Sequence, residues 1–263
     1  MKAVDISFDA LSAEEAQCLR GAGIELVIQC LWTATLQPVV RIQNLEMAAR
    51  NGLLIAGYIS VNRSRSGRSH VDAARIGLPE DLWRQLRFVA IDIELRGILD
   101  TEIEAACDYV VSLGARAPIY TAKGAWEGLI VPPNSTRLST RGFPLWNAAW
   151  DMYEDIDYPR ARFGGWRDDQ VIGEQWSGGS IICGAHVDRN TFSDEYVKAG
   201  LEDDMGVDQE LRDTVGVLAL EQTVRNEIVA LLALAQAATL DKNAPRLTQA
   251  QKERLITYLH GLD

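Results

Sequence analysis

The chain has 263 residues, with 37 acidic and 26 basic side chains and a formal net charge of −11. At roughly 150 residues per domain, this length predicts one large domain with or without an appendage. The acidic balance argues against nucleic acid as a partner, because a polyanion is repelled unless a basic stripe compensates, and the sequence has no such stripe. The densest basic run, at 63–68, is interpreted as a solvated loop.

The N-terminal residues predict a strand and not a cleavable apolar signal, so we expect synthesis in the cytoplasm without a signal peptide. The sequence has no apolar run of the roughly 18 residues that a membrane span needs. The four cysteines, Cys18, Cys30, Cys107 and Cys183, lack metal-ligand spacing. The sequence therefore predicts free, buried thiols, as expected in a reducing cytoplasm.

Eight short apolar segments are predicted as β-strands, with helices between the earlier ones. A capping pattern at Ser12 and Glu15 predicts a helix start, and apolar residues at helical spacing predict helices at 40–51 and 100–114. This strand–helix alternation is typical of parallel strands. The predicted strands are 3–6, 26–31, 53–59, 88–93, 118–120, 145–149, 171–176 and a short one near 186–187.

The alternation ends after the fifth strand. The segment between the last two predicted strands is too short for a crossover helix, because a parallel connection needs about a dozen residues or more. The sequence therefore predicts an α/β fold over residues 1–200: a TIM-like barrel of five βα units closed by three strands that loops connect, some of them antiparallel.

The composition changes at residues 201–263, which predict a helical appendage with helices at 207–238 and 248–261. This segment has no tryptophan and no phenylalanine. It is therefore a poor candidate for a sugar-binding module, since such modules stack sugar rings on aromatic side chains. Two interpretations stay open: the appendage packs against the barrel, or residues 205–263 form a homo-oligomer or dock on a protein partner.

Acidic residues lie where predicted strands end, and functional residues gather at the carboxyl ends of strands in a parallel barrel. These acids are Asp5, Asp92, Glu94 and Asp188. Asp92 and Glu94 are two positions apart, so an extended strand directs both to one face. Carboxylates that share a partly dry site raise the pKa of at least one of them, which then serves as a general acid in glycoside hydrolysis. On spacing alone, the alternative that these acids cap helices or pair with arginines stays open.

Aromatic residues also lie at or near predicted strand ends. There they would form the walls of an acidic cleft, on which sugar rings could stack. Such a cleft suits a carbohydrate. The candidates are Tyr58, Tyr120, Trp146, Trp150 and Trp176.

Six segments in order resemble glycoside hydrolase family 25, the lysozyme-like N-acetylmuramidases of bacteria and phages. A related family of uncharacterised glycoside-hydrolase-like domains from actinobacteria shares much of the pattern. The resemblance covers about 190 residues and implies a barrel of five βα units plus three strands. The segments are Asp5-Ile6-Ser7, Ile91-Asp92-Ile93-Glu94, Ile119-Tyr120-Thr121, Leu145-Trp146-Asn147-Ala148, Glu174-Gln175-Trp176-Ser177 and Val187-Asp188-Arg189-Asn190.

The resemblance implies roles for individual residues. Glu94 would be the general acid that protonates the glycosidic oxygen, and Asp92 would position or polarise the substrate at the reacting carbon. Asp5 and Asp188 would tune the charges and bind the sugar. The residues that would line the subsites are Tyr58, Tyr120, Trp146 and Trp176.

Three functional hypotheses follow. In the first, the chain is a cofactor-free, metal-free hydrolase that cleaves peptidoglycan at the cell wall, as a phage lysin or a virion component. In the second, it is a non-catalytic barrel that binds cell-wall glycan or builds a virion or another assembly. The second is favoured by departures from the family pattern, such as Tyr58-Ile59-Ser60, which lacks the family's histidine. In the third, the acids hold Mg²⁺ or Ca²⁺, although no Asp-rich loop of the usual spacing is present.

Overall fold

The computed structural model describes residues 1–199, in which eight β-strands close into one barrel in chain order. The strands are β1 (Lys2–Ile6), β2 (Leu26–Thr33), β3 (Leu54–Ser60), β4 (Leu86–Asp92), β5 (Ile119–Thr121), β6 (Leu145–Ala148), β7 (Val171–Ile182) and β8 (Ala185–Phe192). The helices are α1 (Ala13–Gly21), α2 (Arg41–Arg50), α3 (Gly67–Arg75), α4 (Glu80–Gln85), α5 (Asp100–Ser112), α6 (Lys123–Gly128), α7 (Arg137–Thr140) and α8 (Asp194–Lys198).

The strand directions confirm the predicted α/β barrel. Strands β1 to β7 pair in parallel, and β8 pairs antiparallel with both β7 and β1. The loop at 149–170 joins β6 to β7 with no long helix, as expected from the lack of an apolar period there. At the first helix, the side chain of Ser12 accepts a hydrogen bond from the Glu15 amide, and the Glu15 carboxylate accepts one from the Ser12 amide. Such a cap stabilises a helix by about 1 kcal/mol.

Apolar side chains fill the barrel interior below its mouth. Phe88, Trp146 and Phe192 meet there with ring centroids 5.3 to 6.3 Å apart. Since strand residues alternate between faces, the interior residues Ala3 and Ala90 are followed two positions later by Asp5 and Asp92. The apolar plug therefore ends where the acidic residues begin.

The interpretation of 63–68 as a loop is wrong at its end, because helix α3 begins at Gly67. The hydroxyl of Ser66 accepts a hydrogen bond from the amide of Ser69 and so caps the helix. A Cβ atom at residue 67 would overlap the carbonyl oxygen of Glu102, so only glycine lets α3 approach α5 this closely. The cap depends on the short polar side chain of Ser66, and the close approach depends on Glu102, which is distant in sequence. Neither produces the apolar period by which the sequence indicates a helix.

The expectation of four free thiols is wrong for two of them, because Cys18 and Cys183 form a disulfide. Cys18 lies on α1, and Cys183 lies in the tight turn between β7 and β8, where Cys183 and Gly184 both have positive φ. The other two cysteines, Cys30 and Cys107, are free and buried, as predicted. Disulfides persist in oxidising compartments, so the cysteines of this chain no longer indicate a reducing compartment.

The predicted helical appendage at 201–263, and the oligomerisation or docking predicted for 205–263, lie outside the described residues. Within residues 1–199, no helix has the length and hydropathy that crossing a bilayer requires.

Candidate active site

A cavity of about 230 Å³ opens at the barrel mouth, at the carboxyl ends of the parallel strands. All four acids predicted from the strand ends line it: Asp5, Asp92, Glu94 and Asp188. They come from β1, from the end of β4 and from β8. The barrel therefore brings together side chains that are up to 183 positions apart in the sequence, from Asp5 to Asp188.

Asp5 is held at the bottom of the cavity by two side-chain amides. Its Oδ2 accepts hydrogen bonds from Nε2 of Gln175 and from Nδ2 of Asn190, both at 2.8 Å. The side chain is 6% exposed, and β1 and β8 pair Asp5 directly with Asp188. Burial, followed by the charge of Asp188, raises the pKa of Asp5 to about 7, although the two amide hydrogen bonds oppose this shift.

Asp92 is buried at the end of β4, with 3% of its surface exposed. Its Oδ2 accepts a hydrogen bond from the hydroxyl of Ser60, and its buried Oδ1 has no partner within the described residues. Burial, followed by the negative charge of Glu94, raises the pKa of Asp92 to about 8. A buried acceptor without a partner is costly, which suits an atom that meets a ligand.

Glu94 stands at the rim of the cavity and is exposed to solvent. Its pKa is raised by partial removal from water and by the negative charge of Asp188. Asp188 in turn accepts a hydrogen bond at Oδ1 from the amide of Gly179, at 2.6 Å. The site thus combines two buried carboxyl groups with raised pKa values and one exposed carboxyl group, an arrangement that suits proton transfer to a bound molecule.

Four of the five predicted aromatic residues line this cavity: Tyr58, Tyr120, Trp146 and Trp150. The hydroxyl of Tyr58 shares a hydrogen bond with that of Ser7, at 2.7 Å. Trp146 is almost fully buried, and its Nε1 donates to Oδ1 of Asn190 at 3.0 Å, so it forms the floor. Trp150 is 61% exposed and offers an open ring face at the mouth.

The prediction that Trp176 lines the same cleft is wrong. Gln175 points into the mouth, so the next residue on strand β7 points to the opposite face. Trp176 is 8% exposed and lines a separate cavity of about 320 Å³, where the guanidinium of Arg189 lies 5.5 Å from its ring centroid. Its contacts are therefore those of a packed side chain outside the mouth.

Sequence reasoning gave no role to two residues that the structure places at the acids, Ser60 and Gln175. Ser60 stands two positions after Tyr58 on β3, so it shares the inward face of that strand. Gln175 accepts hydrogen bonds at Oε1 from Tyr120 and Trp150, at 2.8 and 2.6 Å, and donates to Asp5. The period of two along each strand was the signal that could have found both.

The mouth carboxylates are not the acidic group best arranged for a metal ion. In the part of the chain that the structure describes, such a group is formed by Asp151, Asp155 and Glu174. Each brings one carboxylate oxygen within 4.8 Å of the other two. None of these three lines the cavity that holds Asp5 and Asp92.

Comparisons with known proteins place the fold. No family model matches the sequence, and no curated protein matches it. Among solved structures, the muramidase from Trichobolus zukalii is 21% identical, with a TM-score of 0.57, over 73% of this chain and 93% of that chain. A family GH25 lysozyme from Aspergillus fumigatus is 16% identical, with a TM-score of 0.57, over 73% of this chain and 93% of that chain.

Two further matches extend the range of proteins with this fold. The catalytic domain of endolysin ply40, from bacteriophage P40 of Listeria monocytogenes, is 12% identical with a TM-score of 0.53, over 75% of this chain and 95% of that chain. The autolysin LytC from Streptococcus pneumoniae, in complex with a synthetic peptidoglycan ligand, is 15% identical with a TM-score of 0.50, over 73% of this chain and 46% of that chain. The chain therefore shares its fold with GH25 muramidases and with the catalytic domain of a phage endolysin.

Proposed function

We propose that this chain is a glycoside hydrolase of the family 25 type that cleaves peptidoglycan between N-acetylmuramic acid and N-acetylglucosamine. The observation that carries the proposal is the pair Asp92 and Glu94, which line one cavity at the carboxyl end of a barrel shared with GH25 muramidases. One member is buried and the other is exposed at the rim. This asymmetry gives two carboxyl groups two different chemical roles.

The electrostatics of the pair support acid catalysis near neutral pH. Burial, followed by the charge of Glu94, raises the pKa of Asp92, so the two groups resist simultaneous ionisation and the pair keeps a proton. Glu94 would deliver it to the glycosidic oxygen as the carbon–oxygen bond breaks, since it is the member that a substrate reaches from solvent. Asp92, then ionised, would stabilise the positive charge that develops at the anomeric carbon. Water would finally add its oxygen to that carbon and return a proton to the pair.

The remaining groups at the mouth would hold the sugar and tune the charges. Asp188 lies close enough to raise the pKa of Glu94, and Asp5 offers a carboxyl group at the base of the cavity. Trp150 would stack against a sugar ring, because its face is open, whereas Trp146 would support the base of the cavity.

The proposed place of action is the cell wall, with the chain acting as a phage lysin or as a virion component. The fold that it shares with an endolysin catalytic domain, and with an autolysin whose structure holds a peptidoglycan ligand, supports this proposal. The polymer itself would be the partner, and the acids at the mouth supply the chemistry without a cofactor.

The test is the Glu94→Gln variant in a turbidity assay on cell-wall suspensions. We expect its lytic rate to fall by roughly 10²–10⁴-fold, the contribution of one positioned acid. Glu25→Gln is the matched control, because Glu25 precedes β2 at the opposite end of the barrel and its exposed ion pair with Lys198 contributes little. Lysis by Glu94→Gln at the rate of the control would refute the acid role of Glu94.

Release of reducing sugar separates the two hypotheses that share this fold. A hydrolase releases reducing sugar from purified peptidoglycan, and it does so in proportion to the fall in turbidity. Wild-type protein that sediments with peptidoglycan but releases no reducing sugar would instead establish the non-catalytic wall-binding hypothesis.

A further inference from the structure

We propose that Asp151, Asp155 and Glu174 form a binding site for a divalent cation with a preference for oxygen ligands, and that Ca²⁺ fits it. The site lies outside the cavity that holds Asp5 and Asp92. It would join the loop at 149–170 to strand β7.

The geometry of the three carboxylates suits one shared ion. Each contributes an oxygen, and these oxygens all lie within 4.8 Å of one another. Two oxygens bound to one Ca²⁺ at 2.3–2.6 Å are separated by at most about 5 Å. All three residues can therefore reach one ion.

Glu174 gives the second, independent indication of a ligand. Its side chain is fully buried, and its Oε1 is buried without a hydrogen-bond partner in the described structure. The other oxygen, Oε2, accepts from the amide of Asp157 at 2.9 Å and from Nδ2 of Asn147 at 3.5 Å. One carboxylate oxygen is thus anchored, and the other is free to meet a cation.

The local charge balance also favours a cation. Arg160 is the basic side chain paired with this group: its Nη1 lies 3.5 Å from Oδ2 of Asp151, and its Nε lies 2.9 Å from Oδ2 of Asp157. Among the described residues, Arg160 thus pairs with Asp151 and Asp157, whereas neither Asp155 nor Glu174 has an ion-pair partner. A metal ion stabilises two carboxylates that lack a positive partner, especially where one of them is fully buried, as Glu174 is.

The ligand set indicates which cation. The three side chains are all carboxylates, without histidine or cysteine, so the site suits a hard ion and not Zn²⁺. Glu174 is buried, Asp151 is half-buried and Asp155 is exposed, so water can complete the coordination from the open side. Ca²⁺ accepts such a mixed and irregular shell more readily than Mg²⁺, which requires near-octahedral geometry.

A bound ion would act on the neighbouring cavity through the chain. Asp151 directly follows Trp150, whose ring stands at the mouth, and Glu174 directly precedes Gln175, which accepts the Trp150 hydrogen bond. An ion that holds residues 151 and 155 against residue 174 would fix the Trp150 side chain relative to Gln175. The site is therefore a positioning device for one wall of the mouth.

The test is calorimetric titration of CaCl₂ into the full-length protein after treatment with EDTA. We expect one saturable site, affinity at least about tenfold lower in Asp155→Asn, and little change in Glu154→Gln. Asp155 is exposed, so its substitution leaves the fold intact, and Glu154 is an adjacent acid that pairs with Lys2 instead. Glu174→Gln, which removes the buried charge, should weaken binding at least as much as Asp155→Asn does.

Thermal unfolding gives a second measurement that does not depend on activity. Ca²⁺ should raise the midpoint of unfolding of the wild type and of Glu154→Gln, since a ligand that binds only the folded state stabilises it. At the same Ca²⁺ concentration the rise should be smaller in Asp155→Asn, because this variant binds the ion more weakly. The proposal is overturned if the wild type shows neither saturable heat nor a shift in the midpoint, or if Asp155→Asn binds as tightly as Glu154→Gln.

Discussion

Gln175 donates a hydrogen bond from Nε2 to Oδ2 of Asp5, at 2.8 Å, and so connects β7 to β1 across the intervening strand β8. Its Oε1 accepts from the hydroxyl of Tyr120 and from the indole of Trp150, so the amide has a single orientation. A carboxyl group at the base of the cavity is thereby connected to an exposed ring at its rim. Gln175 acts as a positioning residue for both.

The Gln175→Met variant tests this connection. Methionine has a similar volume but cannot accept the hydrogen bonds of Tyr120 and Trp150 or donate one to Asp5. Each buried polar group left unpaired costs about 1–3 kcal/mol, so we expect lower stability together with weaker glycan binding. Gln175→Glu should keep the bonds to Tyr120 and Trp150 and lose the bond to Asp5. Equal binding of peptidoglycan fragments by wild type and Gln175→Met, measured by calorimetry, would show that Trp150 needs no such support.

The raised pKa of Asp92 predicts how stability depends on pH. A carboxyl group whose pKa rises to about 8 on folding binds its proton more tightly in the folded state. Its contribution is therefore complete below about pH 4 and is lost as the pH rises towards 8. We expect the free energy of unfolding of the wild type to fall between pH 5 and pH 8, measured by chemical denaturation.

Asp92→Asn should make that fall shallower, because asparagine mimics the protonated side chain and still accepts a hydrogen bond from Ser60. The variant should exceed the wild type in stability at pH 8 by about 1–3 kcal/mol, and the difference should shrink as the pH falls towards 4. Asp168→Asn is the control, since Arg162 lowers the pKa of the exposed Asp168 and places its effect below this pH range. A wild-type slope in Asp92→Asn would contradict the assignment.

Strand periodicity predicted most of the barrel and the acids at its mouth. A period of two directed Asp92 and Glu94 to one face, and the ends of the predicted strands supplied Asp5 and Asp188. The last strand, β8, continues to Phe192, so Asp188 lies within it, and the closed sheet brings all four acids to one cavity. The same periodicity could not decide whether Gln175 or Trp176 faces inward, because Glu174, Gln175 and Trp176 show no alternation of polar and apolar residues and β7 is buried on both faces there. That choice depends on the register with β6, which pairs Ala148 with Gln175.

The sequence could not predict the features that depend on backbone turns. The Cys18–Cys183 disulfide joins residues 165 positions apart, and it forms because a two-residue turn with positive φ returns β8 beside β7. The cluster around Glu174 likewise depends on the path of the loop at 149–170, which has no apolar period. In both cases the partners are chosen by loop geometry and not by a pattern of residue types.

Substitutions of Trp150 and Trp176 should have opposite effects on glycan binding and on stability. Trp150→Ala removes an exposed ring at the mouth, so glycan affinity should fall roughly tenfold with little change in stability. Trp176→Phe shrinks a buried ring outside the mouth, so stability should fall by about 1 kcal/mol with affinity unchanged. Binding of soluble peptidoglycan fragments and chemical denaturation, measured on both variants, check the pair. The reverse pattern would assign the sugar to the cavity beside Arg189.

The disulfide predicts a defined thiol count and a defined loss of stability. Cys30 and Cys107 are free and buried, so native protein should not react with Ellman's reagent, and denatured, unreduced protein should show two thiols. Reduction before denaturation should raise the count to the four cysteines of the chain. Because the bond closes a long loop, Cys18→Ser should lower the free energy of unfolding by about 2–5 kcal/mol. The matched control is Cys18→Ser with and without reductant. Its free energy of unfolding should be the same in both conditions, because the variant has no Cys18–Cys183 bond to reduce. Cys107→Ser cannot serve as the control, because it alters the core. Four thiols in denatured, unreduced protein would show that Cys18 and Cys183 are not bonded.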